Sequence, residues 1–391
     1  MKKRNITEGV EFIGAIDWNR RLFDSLIPLP DGTSYNSYLI RGNKLTVLID
    51  TVDPSMWSVL EDQLKDVKKI DYIVSHHTEQ DHSGSIPFVL KKYPEAIVLC
   101  STMAKSLLKE HLQIDPDRIQ IVKDGEIIDL GGKSLKFIYT PWVHWPETMC
   151  TWLEEDRILF TCDLFGSHLA TSDMFAIKEE NVYEGAKRYY AEIMMPFRET
   201  IIKNMEKIKN FDIKIIAPSH GPIYNEPSFI INAYYDWINP LPKNECIIAY
   251  VSMHGSTKMM VEHLTASLIE RDIKVSVFDL SVTDIGKLAI SLVDAATLIV
   301  ATPTVRGGAH PVVLYAVSLA NMIFPKLKYT AIIGSYGWKS TASEQIISSL
   351  TNLKSEYLGA ILCKGMPSES DYASLARLAD TIKEKHSLLI K

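Results

Sequence analysis

The periodicity of the chain changes at Asn239-Pro240-Leu241-Pro242-Lys243, and that change constrains the fold more tightly than any other feature. After it, apolar runs and amphipathic stretches follow a strand-then-helix rhythm. The order is Ile247 to Val251, a helix from Lys258, Val275 to Phe278, a helix through Leu288, Thr297 to Ala301, a helix after Pro311, Thr330 to Ile333, a helix from Ser343, and Ala360 to Cys363. These units predict a doubly wound parallel sheet, because parallel neighbours need a crossover of the length a helix supplies. Before the change, Tyr38-Leu39-Ile40, Leu45 to Ile49, Ala96 to Leu99, Leu135 to Tyr139 and Ile158 to Phe160 are separated by turns and a few helices, the pattern of stacked sheets. Two prolines that fix φ and remove donors make the junction a boundary. The expectation is two domains, residues 1–242 and 243–391, in a chain of 391 residues that is long enough for two separate cores. The sequence has no internal repeat and no low-complexity tract.

Hydrophobic residues make up 46% of the chain, yet its longest apolar runs are strand-sized. The start Met1-Lys2-Lys3-Arg4-Asn5 leads into no apolar signal core, so a cytoplasmic protein without a membrane partner is expected. The net charge of -6 comes from mixed signs with no basic stripe, which argues against a nucleic-acid partner. Cys100, Cys150, Cys162, Cys246 and Cys363 are scattered, odd in number and never spaced Cys-x-x-Cys. They are expected to be reduced, mainly structural thiols, not a disulfide framework, a rubredoxin-like iron site or a zinc ribbon.

The loop Ser75-His76-His77-Thr78-Glu79-Gln80-Asp81-His82-Ser83-Gly84 gathers His77, Glu79, Asp81 and His82 directly after the apolar run Ile70 to Val74. Side chains at a strand's carboxyl end converge on a point outside the sheet. The same placement recurs for His144 after Leu135 to Tyr139, for Asp163 after Arg157 to Phe160, and for His220 after Ile213 to Ala217. Taken singly, each reads equally as an ordinary polar loop residue; their recurrence favours one shared metal site. Four histidines and three carboxylates are too many for one tetrahedral zinc, but suit two metals if one carboxylate bridges them. His76 is expected to point away from the cluster and to play a structural part, as neighbours in an extended segment face opposite ways. His168 is a further candidate for the pocket, and Tyr189 and Tyr190 offer either a pocket hydroxyl or packing.

In zinc hydrolases of the metallo-β-lactamase superfamily the corresponding loop usually reads His-x-His-x-Asp-His. Glu79 replaces the second histidine here, which hardens the ligand set toward iron or manganese. The chain resembles the flavodiiron proteins over nearly its whole length. The resemblance rests on the loop, on Gly32 to Ile40, on His144-Trp145-Pro146-Glu147-Thr148-Met149, on Cys162-Asp163-Leu164-Phe165-Gly166 and on Pro218-Ser219-His220-Gly221. It implies a metallo-β-lactamase-like αββα sandwich followed by a flavodoxin-like domain, an α+β unit joined to an α/β one. It further implies two non-haem irons per subunit. His77, Glu79 and His144 would bind the iron nearer the flavin, Asp81, His82 and His220 the other, with Asp163 bridging.

In the second half, Ser252-Met253-His254-Gly255-Ser256-Thr257 lies between a strand and a helix. Hydroxyl and backbone donors at a helix start fit a phosphate, and Gly255 allows close approach, although Ser and Thr also serve there as helix caps. The stretch resembles the flavodoxin phosphate loop. Thr302-Pro303-Thr304-Val305-Arg306-Gly307-Gly308 and Gly334-Ser335-Tyr336-Gly337-Trp338 follow the next buried strands, and in flavodoxin-like domains such loops flank the isoalloxazine ring of FMN. The expected FMN contacts are therefore Ser252 to Thr257, Thr302 to Gly307, and Ser335 to Trp338, with Tyr336 or Trp338 stacking on the ring. The sequence departs from the family at Val305 to Gly308, where relatives are often Asn-rich, and at Lys339-Ser340-Thr341, where they carry further glycines. Arg306 and Lys339 place positive charge near the flavin or on a docking rim, or are solvated.

By this resemblance the chain is a flavodiiron oxidoreductase, reducing O2 to water, NO to nitrous oxide, or both, with electrons passed from FMN to the irons. The donor is a separate rubredoxin or a reduced deazaflavin coenzyme, since no rubredoxin cysteine spacing is fused to the chain. A head-to-tail homodimer or homotetramer is implied. The alternatives are a zinc hydrolase with an appended flavodoxin domain, which Glu79 disfavours, and a non-enzymatic electron carrier, which the full ligand set disfavours.

Overall fold

The computed structural model of the chain describes residues 2–178 and 180–389. Two compact units form, one of residues up to 190 with Phe197–Ile238, the other of Ala191–Pro196 with the residues from Asn239 onward. At the proline pair, residues 239–242 belong to no strand or helix, and Lys243–Tyr250 begins the next sheet. No change of periodicity marks the grouping of Ala191–Pro196 with the second unit.

The first unit stacks two sheets. Seven strands run in the order Arg4–Thr7, Val10–Phe12, Tyr38–Arg41, Thr46–Ile49, Tyr72–Ser75, Ile97–Cys100 and Ile119–Ile121, antiparallel through the fourth and parallel beyond it. The other sheet runs Ile127–Asp129, Ser134–Tyr139, Met149–Leu153, Ile158–Cys162 and Ile215–Pro218, with only its last pair parallel. Val10, Tyr38, Val47 and Val74 of the first meet Leu135, Phe137, Met149 and Phe160 of the second in one core. Leu39, Leu48, Ile73 and Val98 face the other way and pack against Leu60, Ile86, Val89 and Leu108 of the helices Trp57–Gln63, Ile86–Lys92 and Ala104–Leu112. Burial on both faces explains why these strands are continuously apolar instead of alternating. Trp152 turns out of the second sheet to meet Phe211, beyond the helix Arg198–Ile208, with ring centroids 5.2 Å apart. The result is the expected αββα sandwich.

The second unit is the expected parallel sheet, ordered Lys274–Asp279, Lys243–Tyr250, Ala295–Val305, Tyr329–Tyr336, Glu356–Lys364. In chain order this is 2-1-3-4-5, the flavodoxin-like winding, with its switch point between the strands Lys243–Tyr250 and Ala295–Val305. Helices Ser256–Ile269, Ile285–Leu292, Pro311–Met322 and Ala342–Ser349 supply the crossovers, and Glu369–Ser387 follows the last strand. Its core is separate, built from Ile248, Leu264, Ile299, Ile333 and Leu375 among others. All five cysteines are buried and unpaired, as expected. Among the described residues no helix is long and apolar enough to cross a membrane.

Candidate functional site

Strand ends position the ligands. The strand Tyr72–Ser75 delivers His77, after which Glu79 starts the short helix Gln80–Ser83 that carries Asp81 and His82. Thr51 fixes this turn, its N–H and Oγ1 both donating to the His82 carbonyl at 2.8 and 2.6 Å. His144, Asp163 and His220 follow strands Ser134–Tyr139, Ile158–Cys162 and Ile215–Pro218. All seven converge in two groups. In one, His144 Nε2 lies 3.2 Å from Glu79 Oε2 and 3.2 Å from Asp163 Oδ2, and His77 Nε2 lies 3.1 Å from Glu79 Oε2. In the other, His220 Nε2 lies 3.1 Å from Asp81 Oδ2, and His82 Nε2 is 3.3 Å from Asp81 Oδ1 and 3.0 Å from Asp163 Oδ1. Asp163 thus turns one oxygen to each group.

A pair of cations fits this arrangement. Both oxygens of Asp81, both of Asp163, and His82 Nε2 are buried without a hydrogen-bond partner, a cost that buried polar atoms escape only when something else satisfies them. Within each group the ligand atoms lie within 4.8 Å of one another. Mixed carboxylate and imidazole donors suit iron or manganese better than a zinc-only site. The electrostatics follow the same logic. Burial alone lowers a histidine, yet the adjoining carboxylates of Asp163 and Glu79 carry His144 up to about 10, and the charges of Asp163 and Asp81 hold His82 well above its ordinary value. Burial likewise pushes carboxylates up, but the His144 and His77 imidazoles hold Glu79 low, and the charge of His82 holds Asp163 well below its ordinary value. So much convergent negative charge is the environment of a cation.

Residues outside the ligand set hold the rings. His77 Nδ1 donates to Glu147 Oε1 at 2.8 Å, and His220 Nδ1 donates to the Ser34 carbonyl at 2.6 Å; both leave Nε2 facing inward. His76 turns away as expected, bonded to Asp50 Oδ2 at 2.7 Å and to Thr151 Oγ1 at 2.7 Å. His168 packs behind His220 with ring centroids 5.0 Å apart, and its Nδ1 bonds to Thr33 Oγ1 at 2.9 Å. Burial first, then the charge of His220, pushes His168 well below its ordinary value and keeps it neutral. Tyr189 packs on His168 and His220, whereas Tyr190 packs on Tyr234 and Trp237 away from the ligands. Glu147, Asp50 and Ser34 were not singled out by sequence, because their partners lie far along the chain.

In the second unit an open crevice of about 610 Å³, counted to its mouth, is lined by Ser252, Met253, His254, Ser256, Thr257, Pro303, Thr304, Ser335, Tyr336, Gly337 and Gly365. Four segments meet there at the carboxyl ends of the strands. Gly255 has φ +94° at the start of helix Ser256–Ile269, and a Cβ there would meet nothing within 4 Å, so the backbone is open to a phosphate. Five hydroxyl side chains line the walls, suited to a phosphate and a sugar chain, and Tyr336 supplies an aromatic wall. Six expected contacts do not line it: Gly255, Thr302, Val305, Arg306, Gly307 and Trp338. Thr302 is buried, and its Oγ1 accepts from the His310 N–H at 3.0 Å. Val305 pairs with Gly308, leaving Arg306 at φ +50° and Gly307 at φ +91° as a two-residue hairpin turn. Trp338 is 87% exposed. Gly365, after the last strand, is the lining residue that sequence reasoning missed.

Two ligand groups sharing one carboxylate on an αββα sandwich, joined to a flavodoxin-ordered sheet with a hydroxyl-lined crevice, define a two-module metalloprotein of the flavoprotein type. A model of the ODP family beta lactamase matches residues 33–221. The chain is 37% identical over 362 residues to a nitric oxide reductase of Moorella thermoacetica, covering 90% of each chain. It is 33% identical to the type A flavoprotein fprA of Rhodobacter capsulatus, covering 89% of this chain and 83% of that one. The structure of the rubredoxin oxygen:oxidoreductase from Desulfovibrio gigas superposes with a TM-score of 0.95 at 28% identity, covering 99% of each chain. The chain belongs to the flavodiiron, or type A flavoprotein, family.

Proposed function

We propose that the protein is a flavodiiron oxidoreductase that reduces O2 to water, NO to nitrous oxide, or both. The observation that carries this reading is Asp163, whose two oxygens face the two ligand groups and find no other partner. His77, Glu79 and His144 hold one iron, Asp81, His82 and His220 the other, and Asp163 joins them; the crevice lined by Ser252 to His254, Ser256, Thr257, Ser335 and Tyr336 takes FMN. In this reading residues 1–242 form the metal domain and 243–391 the flavin domain. When bound, the reduced flavin and the two ferrous ions supply the electrons that complete reduction of O2 consumes.

The chain's own residues do the remaining work. Glu79 and His144 are the most exposed ligands, at 14% and 13% of their side chains, while the other five are almost completely enclosed; a diatomic substrate therefore approaches from their side. Phe23 packs beside the imidazoles of the other group, its ring 5.1 Å from His168 and 6.5 Å from His220, and adds apolar cover there. Burial first, then the negative charges of Glu79 and Asp81, raises the Asp24 carboxyl above its ordinary value. Neutral His168 backs His220 without adding charge.

The donor is rubredoxin, the partner named by the Desulfovibrio gigas relative, or a reduced deazaflavin coenzyme. The protein is taken as cytoplasmic and as a head-to-tail homodimer or homotetramer, a reading supported by family membership. The test is anaerobic reduction of the purified protein followed by separate additions of O2 and NO, with flavin and iron absorbance recorded and metal and flavin content measured. Two irons and one FMN per chain with rapid reoxidation by either gas are expected. Zinc in place of iron, or a reduced flavin inert to both gases, would sink the proposal.

A further inference from the structure

The two ligand groups differ in what stands behind them. His220 donates its Nδ1 proton to a neutral backbone carbonyl, that of Ser34. His77 donates to a carboxylate, Glu147, whose side chain is completely buried. Three donors converge on one oxygen of that carboxylate: His77 Nδ1 at 2.8 Å, the Thr78 N–H at 2.9 Å and Thr78 Oγ1 at 2.6 Å. Its other oxygen, Oε2, is buried with no partner at all. The backbone is pinned as well, since Ser101 Oγ donates to the Glu147 carbonyl at 2.6 Å. A fully buried anion is costly unless a positive group offsets it. The three donors are two neutral protein groups and an imidazole, so the compensating positive charge must arrive through the ring, from whatever His77 Nε2 binds.

We propose that Glu147 is a positioning residue that directs its buried negative charge through His77 onto one metal position alone, the one held by His77, Glu79 and His144. The inference rests on the di-iron reading. A carboxylate behind a ligating imidazole fixes the ring and makes its Nε2 a stronger donor, whereas a carbonyl fixes the ring without adding charge. The two positions are thus made unequal by the scaffold, although each has nearly the same set of direct ligands.

The substitution Glu147→Gln keeps the size of the side chain and the Oε1 acceptor, removes the charge, and places an amide NH2 where Oε2 has no partner. Fe(II) is titrated anaerobically into the full-length apoprotein against a chelating indicator, with wild type and variant side by side. Wild type should take two Fe(II) per chain. The variant should hold one of them within about threefold of the wild-type affinity and the other about 10- to 100-fold more weakly. If wild type takes two and both remain within threefold in the variant, or both weaken alike, the inference is overturned while the di-iron reading stands. Fewer than two Fe(II) in wild type removes that reading, and the inference with it. A second measurement needs no variant. In Zn(II)-loaded protein with 15N-labelled histidine, the His77 Nδ1–H, identified by its proximity to the Thr78 N–H, should resonate well downfield of that of His220. Coincident resonances would overturn the proposal.

Discussion

Asp163 is the side chain on which both ligand groups depend, because each group takes one of its oxygens. Asp163→Ala should lower iron from two per chain to less than one and leave FMN at one per chain, measured by metal analysis and by flavin absorbance after denaturation. Unchanged iron would refute the bridging role. Residues of this kind are legible in sequence because each follows an apolar run that ends where chemistry starts, so strand ends and ligands are found together. Glu147 is not legible in that way. It stands within a noticed run, but its partner His77 is 70 residues away. Only the stacking of the two sheets brings them together, at strand ends where the Met149 N–H also donates to the His76 carbonyl at 3.1 Å. His76 was readable for the opposite reason, since the alternation of an extended segment turns it from the cluster.

At the scale of elements, the strand-then-helix rhythm identified all five parallel strands of the second unit but not the short strand Gly308–Ala309, because long-range βα alternation is a strong pattern and a two-residue strand has none. Its loops were less legible. The run from Thr302 to Gly307 was expected to touch flavin throughout, yet the strand continues through Val305 and turns at Arg306 and Gly307. Both turn residues have positive φ, the requirement of a tight hairpin whose twist matches its strands. Composition alone does not distinguish a glycine that frees a turn from one that admits a ligand. Gly255 is of the second kind, set between the crevice-lining residues His254 and Ser256 with open space beside its Cα. Gly255→Ala meets no steric obstacle, but at φ +94° it imposes about 1–2 kcal/mol of backbone strain. The expected result is FMN affinity lowered about tenfold, read by fluorescence titration, with iron content unchanged. Unaltered FMN affinity would place the phosphate elsewhere.

The molecule as a whole has separate cores in its two units, so each responds to acid on its own terms. In the second unit His386 is buried, accepting from Thr297 Oγ1 at 2.7 Å on Nε2 and donating from Nδ1 to Asn244 Oδ1 at 2.8 Å. Burial, then the charge of Lys383, lowers it to about 4. A histidine with a depressed folded value takes up its proton first in the unfolded chain, so stability present above pH 6.5 is lost progressively as pH falls toward 4. The loss is on the order of 2 kcal/mol after allowance for solvent screening. Urea unfolding followed by flavin fluorescence should show a midpoint that falls across this window, and His386→Gln should flatten the fall. A midpoint equally steep in the variant would assign the acid sensitivity to other groups.

The five enclosed cysteines have a chemical consequence. Burial pushes Cys100 and Cys150 up to about 12, raises Cys363 and lifts Cys162 well above its ordinary value, so at neutral pH almost none of this sulfur is present as thiolate, the form that oxidants and nitrosating agents attack. Iodoacetamide should alkylate fewer than one sulfur per native chain and all five after denaturation in urea. A catalyst that turns over such reagents is thereby spared self-inflicted damage by its own substrates.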